Sequence, residues 1–175
     1  MRIICILFAC SLLMSCNSSD KASNDNNTNS PAPDEAAIKQ AVDNAYKALG
    51  FSEGQQPVFD SIQYAFIPQA QLINYITDTA QVLSINDFVK AYKNYVETSK
   101  LTSFNEEEIY GRTDQFGNIA QRISTYKTYI NRTDMPAERG VNSFQLIKTK
   151  DGWKVSSIIW DIESKELAIP KAYLP

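Results

Sequence analysis

The reading of the fold turns on two segments, Val141-Asn-Ser-Phe-Gln-Leu-Ile-Lys148 and Trp153-Lys-Val-Ser-Ser-Ile-Ile-Trp-Asp-Ile-Glu163, joined through Lys150-Asp-Gly152. Both are rich in β-branched and aromatic residues. An Asp-Gly pair between two such runs is a strong hairpin signal, because glycine enters the left-handed turn conformation at little cost. Toward the N-terminus, Phe104–Tyr110 and Asn118–Ile130 read as a second pair, flanking the turn region Asp114-Gln-Phe-Gly117. The C-terminal part is therefore expected to be a long antiparallel meander.

Before the meander the hydrophobic period changes. Ile38, Ala41, Val42, Ala45, Tyr46 and Leu49 recur at helical spacing between a candidate N-cap, Asp34, and a candidate C-terminal Gly50. Val58, Phe59, Ile62 and Phe66 predict a second, shorter helix stopped by Pro68. Ala70–Ile76 and Ala80–Leu83 read as short strands joined by Thr77-Asp-Thr79. Ser84 with Asp87 three residues on is a capping box opening a third helix, whose buried stripe is Phe88, Val89, Tyr92, Tyr95 and Val96. Helices gathered early and strands late imply an α+β fold, with helices on one face of a curved sheet.

The first residues read as an address. Arg2 precedes an apolar run, Ile3–Met14, that is too short to span a bilayer. Leu13-Met-Ser-Cys16 resembles the lipobox of bacterial lipoproteins, which implies cleavage after residue 15 and acylation of Cys16. Two or three acyl chains, at roughly 0.8 kcal/mol per buried CH2, give firm anchoring where one does not. Asn17–Asp34 is Asn-, Ser-, Asp- and Pro-rich and has little to bury. It is expected to be a disordered tether with an end-to-end distance on the order of 20–25 Å. The expected division is residues 1–15 signal, 16–34 lipidated cysteine and tether, and 35–175 domain. The expected location is the cell envelope, periplasmic or surface-facing, with the membrane held through Cys16.

Composition removes whole classes of chemistry. All three cysteines (Cys5, Cys10 and Cys16) lie in the leader or at its cut, and there is no histidine. The domain thus has no disulfide, thiol nucleophile, Ser-His-Asp triad or His- or Cys-ligated metal. No cofactor is expected. With 17 Lys and Arg against 20 Asp and Glu, and no basic cluster, nucleic-acid binding is not expected either.

The C-terminal hairpin also carries a family resemblance. Arg139-Gly-Val-Asn-Ser-Phe-Gln-Leu146, Asp151-Gly-Trp-Lys-Val155 and Ile158-Ile-Trp-Asp-Ile-Glu163, with Gly117-Asn-Ile-Ala120 and Ser124-Thr-Tyr126 before them, resemble the nuclear-transport-factor-2-like superfamily. Ketosteroid isomerases, scytalone dehydratase and polyketide cyclases also belong to it. The resemblance spans about residues 35 to 165. It implies a cone, in which three N-terminal helices pack on a strongly curved antiparallel sheet that leaves a pocket at its wide end. The enzymes of this superfamily place an Asp or His base and a Tyr or Asp oxyanion donor there. Histidine is absent here, and no acid aligns with the isomerase aspartate.

Strand alternation supplies candidate residues. On 118–130, Ile119, Gln121, Ile123, Thr125 and Tyr129 form the more apolar face and are expected to face the core. Ala120, Arg122, Ser124, Tyr126 and Thr128 then face solvent, a pocket or a second subunit. Arg122 and Tyr126 are pocket candidates, with Asn142, Phe144 and Trp160 on the neighbouring strands and Tyr46 and Tyr64 from the helical region. Each has a plainer reading, as core packing or wet surface. Trp153 is expected in the core. Trp160 and Ile158 alternate with Ile159 and Asp161, leaving both strand faces apolar. Such a strand is covered on both sides, which points to a homodimer through the sheet face. Asp161 is the candidate base, with Tyr46, if the domain is an enzyme; a solvated strand-end acid is its plainer reading. Glu106-Glu-Glu108 splits between faces and reads as a charged edge rather than a metal site.

Three functions follow in order. The first is a non-catalytic cup for a small apolar or amphipathic ligand. The second is a dimerising interaction domain. The third is an isomerase- or dehydratase-like enzyme using a carboxylate and tyrosines.

Overall fold

The computed structural model describes residues 34 to 175, apart from 76 and 78. The signal segment, Cys16, the tether to residue 33, and part of the expected turn at 76–78 lie outside the described residues. In chain order the elements are helix α1 (Glu35–Leu49), a 3-10 helix (Phe59–Ala65), strands β1 (Phe66–Asn74) and β2 (Gln81–Ser84), helix α2 (Ile85–Thr98), and strands β3 (Phe104–Phe116), β4 (Ile119–Ile130), β5 (Glu138–Thr149) and β6 (Gly152–Ile162). A short 3-10 turn, Lys171–Tyr173, follows.

The fold is α+β, with a six-stranded sheet in the order β2-β1-β6-β5-β4-β3. The β3–β6 meander is antiparallel throughout, as the turn signals require. Thr149 pairs with Gly152 across Lys150-Asp151, and Gly152 takes φ +95°. An added Cβ would be strained in that backbone conformation, which is why glycine follows the aspartate.

Three expectations are corrected. The sheet is not wholly antiparallel, since β1 runs parallel to β6, pairing Leu72 with Ile158 and Asn74 with Trp160. Nor do the helices all precede the sheet: α2 stands between β2 and β3. The second helix is a 3-10 turn ending at Ala65, and Pro68 lies inside β1. Proline fixes an extended conformation on the residue before it and donates no ladder hydrogen bond. It accordingly sits where the β1–β6 register shifts, between Phe66 and Gln71.

Both helices pack on one sheet face. The core joins Ile38, Val42 and Tyr46 of α1, Ile85, Tyr92 and Val96 of α2, and Leu72, Phe144, Leu146, Val155 and Ile158 of the sheet. Ser84 caps α2 as its spacing foretold, accepting from the Asp87 N–H at 3.2 Å and donating to its carboxylate at 2.8 Å. Asp34 precedes α1 without a side-chain cap. Its carboxylate instead accepts from Lys148 Nζ and from Trp153 Nε1 at 3.0 Å, pinning the helix start to the β5–β6 hairpin. The Lys148 bond holds the Asp34 pKa below the ordinary carboxylate value. Trp153 is buried in the core, as expected.

Candidate functional site

Register places the inner-face side chains in rows. One row runs Thr113–Arg122–Phe144–Ile158–Leu72, the next Gly111–Ser124–Asn142–Trp160–Asn74. Beyond them come Glu108–Tyr126–Gly140 and Glu106–Thr128–Glu138. The expected orientation of β4 is therefore reversed. Its more polar set, Ala120 through Thr128 at every second position, faces the helices, while Ile119 is exposed on the outer face. Burial does not follow apolarity here because Arg122, Ser124 and Thr128 each find an internal hydrogen-bond partner.

Arg122 shows how completely this is done. It is 3% exposed and grips Glu108 through two bonds, Nε to Oε2 at 2.8 Å and Nη2 to Oε1 at 2.6 Å. Its Nη1 donates to Glu35 Oε1 at 2.8 Å and Thr113 Oγ1 at 2.6 Å. The paired Glu108 carboxylate raises the Arg122 pKa further. A Cβ on Gly111 would collide with this guanidinium, so β3 carries glycine where the arginine passes. Arg122 is thus a buried tie between β3, β4 and α1, away from the pocket it was expected to line.

Between α1, α2 and the inner sheet face lies a half-open hollow of about 210 Å3. Tyr46, Tyr126, Asn142, Phe144 and Trp160 line it, as the sequence suggested. Tyr64 does not: it is 69% exposed and borders a separate surface hollow beside Trp153 and Lys154. Its place on a short 3-10 turn puts the ring outside the packed stripe. Asp161 is exposed on the outer side of β6 and cannot serve as a base in the hollow. The solvated strand-end reading of that acid holds.

Aromatic rings make the walls. Phe88 stacks on Tyr92 at 6.2 Å and meets Trp160 edge-on at 6.3 Å, and Tyr92 meets Phe104 edge-on at 5.5 Å. The polar groups converge on one side. Asn142 Nδ2 donates to the Tyr46 hydroxyl at 2.9 Å, which lies 2.7 Å from Ser124 Oγ. Thr128 Oγ1 donates to Glu106 Oε2 at 2.9 Å, and the Asn142 amide, close to the Glu106 carboxyl, also favours its ionised form. Burial pushes Glu106 up to about 7, with Glu138 nearby adding to the rise. Burial raises Glu138 itself as well. Tyr46 and Tyr126 are raised by burial and then by the Glu106 charge, so both stay phenols at any ordinary pH.

Glu106 and Glu138 were missed as site residues. The signal was present for Glu106: Phe104 is core, so Glu106 and Glu108 share its face two and four residues on. Only Glu107 of the run points outward, to Lys127 at 3.0 Å. The expected charged edge is an inward pair with one outward acid.

No family model matches the chain, and no curated protein does. Solved structures do. A protein of unknown function with a cystatin-like fold from Nostoc punctiforme aligns at TM-score 0.61 and 10% identity, over 77% of this chain and 95% of that one. An NTF2-like protein of unknown function from Shewanella baltica aligns at TM-score 0.53 and 18% identity, over 75% and 94%. A structure from Catenulispora acidiphila in complex with S-DNPA aligns at TM-score 0.58 and 14% identity, over 73% and 92%. Element order, sheet topology and these likenesses together show that the chain carries a domain of the nuclear-transport-factor-2-like, cystatin-like fold.

Proposed function

We propose that this protein is an envelope lipoprotein whose domain holds a small apolar or amphipathic ligand in the hollow without transforming it. The observation that carries the reading is a 210 Å3 space with aromatic walls and polar groups gathered on one side. That is the make-up of a pocket that binds by burial and orients by a few hydrogen bonds. The Catenulispora acidiphila protein of the same fold, solved in complex with S-DNPA, supports it. Leu13-Met-Ser-Cys16 supports the anchor. Ile159, 42% exposed on the outer sheet face, supports a homodimer there. Native mass spectrometry of the chain purified gently from its host should show a retained small-molecule mass. Leu49→Trp, which fills the hollow from α1, should abolish it. A wild-type chain that arrives empty would overturn the reading.

One observation favours a second reading, an isomerase- or dehydratase-like enzyme. Glu106 is a carboxyl enclosed in the hollow with Tyr126 and poised near neutrality, the setting a general base requires. It would take the role first given to Asp161. Solvent deuterium appearing at a carbon of the retained ligand, and lost in Glu106→Gln, would decide for it.

A further inference from the structure

The charge balance of the hollow narrows the ligand. Glu106 and Glu138 line it, and neither Lys nor Arg does. The other inward acid, Glu108, is neutralised by Arg122, and Arg139, next in sequence to Glu138, is engaged by Glu163 at 2.7 Å. Among the described residues, no cation pairs with Glu106 or Glu138. Enclosed carboxylates are normally matched by a cation or by several donors, since an unmatched charge loses its hydration. A second polar group is also left over. Tyr126 lines the hollow and makes no hydrogen bond among the described residues; its ring is packed away, but its hydroxyl is not fully enclosed and is open to a ligand there.

We propose that the head group recognised here is a protonated amine, seated between the Glu106 and Glu138 carboxylates with the Tyr126 phenol beside it. The inference rests on the ligand-binding reading above and names its ligand class: a small apolar or aromatic body bearing one cationic nitrogen. Ammonium N–H groups match carboxylate acceptors in charge-assisted bonds. The rings of Phe88, Tyr92 and Trp160 add faces toward which a cation is attracted within about 6 Å. A hollow of about 210 Å3 is smaller than the roughly 300–1,000 Å3 of drug-sized pockets, which limits the body to one or two rings.

The pH dependence follows. The titratable groups that face Glu106 are Tyr46 from α1, Tyr92 and Tyr95 from α2, Tyr126 from β4 and Glu138 from β5. The phenols of Tyr46, Tyr92 and Tyr126 are held protonated by burial, which leaves the two carboxyls to titrate, Glu106 at about 7 and Glu138 above its ordinary value because it is partly buried. A cation prefers the ionised carboxylates, so its affinity rises as pH rises through about 7. A neutral ligand accepting a hydrogen bond from protonated Glu106 would show the opposite slope.

The test uses the full chain in calorimetry with 2-phenylethylamine, 2-phenylethanol and phenylacetate at pH 6 and pH 8. The amine should bind at least about ten-fold more tightly than the alcohol at pH 8, and phenylacetate most weakly. The amine should lose about ten-fold between pH 8 and pH 6. Glu138→Gln, at a half-buried position, should fold normally, lose the preference for the amine and keep the alcohol. An alcohol or acid that binds as tightly as the amine overturns the assignment while leaving a ligand-binding cup intact. Failure of all three to bind also overturns it, and the retained mass then reports separately on whether the hollow binds anything.

Discussion

Glu106 and Arg122 are both charged residues on the inner face of the sheet, and they meet opposite fates. Arg122 brings its charge inside with two carboxylates and a hydroxyl around it. Removing it strands Glu108, whose side chain is itself buried. Arg122→Met is therefore expected to cost about 3–5 kcal/mol in urea denaturation. A double change with Glu108→Leu should recover much of that. Glu106 has neutral partners only, and its folded pKa of about 7 stands above its ordinary value of 4.5. Between those values the native state holds a proton that the unfolded chain releases, so stability is greatest below the unfolded pKa and falls as pH rises through 7. The full effect is up to about 3 kcal/mol. Glu106→Gln should flatten this fall, leaving a higher melting temperature at pH 8 relative to wild type than at pH 4.5.

At the scale of elements, β3 to β5 must cross close beneath α1 while carrying large inward side chains. Gly140 pairs with Tyr126 across β4 and β5, and a Cβ there would stand 2.5 Å from the Tyr126 hydroxyl and collide with the Asp161 carbonyl. Its φ is unexceptional, so it is space and not backbone freedom that calls for glycine. Gly140→Ala should therefore push the Tyr126 ring into the hollow. The expected result is a loss of stability of about 1–3 kcal/mol, with weakened retention of ligand in native mass spectrometry. Unchanged stability and retention would show that Tyr126 can move aside freely. The hairpin and both α-helices were legible at this scale because their periods and turn residues are local. The parallel β1–β6 pairing was not, since nothing local to Phe66–Asn74 specifies a partner 86 residues further along, as Ile158 is from Leu72.

At the scale of the whole molecule, the hollow is seen in the structure, and the anchor at Cys16 is a proposal made from the sequence. The C-terminal segment closes part of the outer face: Thr125 Oγ1 donates to the Tyr173 carbonyl at 2.6 Å, and Ile169 N–H donates to Glu163 at 3.2 Å. This covers Thr125, a residue expected to face the core, by the chain's own tail. Among the described residues no helix is long and apolar enough to cross a membrane. If attachment rests on Cys16, metabolic labelling with a radioactive fatty acid should mark the wild-type chain. Cys16→Ala should lose the label and leave the membrane fraction. Retained label in that variant would disprove the assignment.

Composition alone settled that residues 34 to 175 hold no cysteine and the whole chain no histidine, and no fold can supply a residue type a segment lacks. Local patterns settled the two α-helices and the final hairpin, because a 3.6-residue period and an Asp-Gly turn need no distant partner. Which face of β4 turns inward was a tertiary decision: alternation defines two faces, and when both mix polar and apolar groups only packing chooses between them. The acidity of Glu106 belongs to the same class. Burial against walls drawn from Tyr46 to Trp160, and then the charge of Glu138, raise its pKa, and that environment exists only once folding has gathered them.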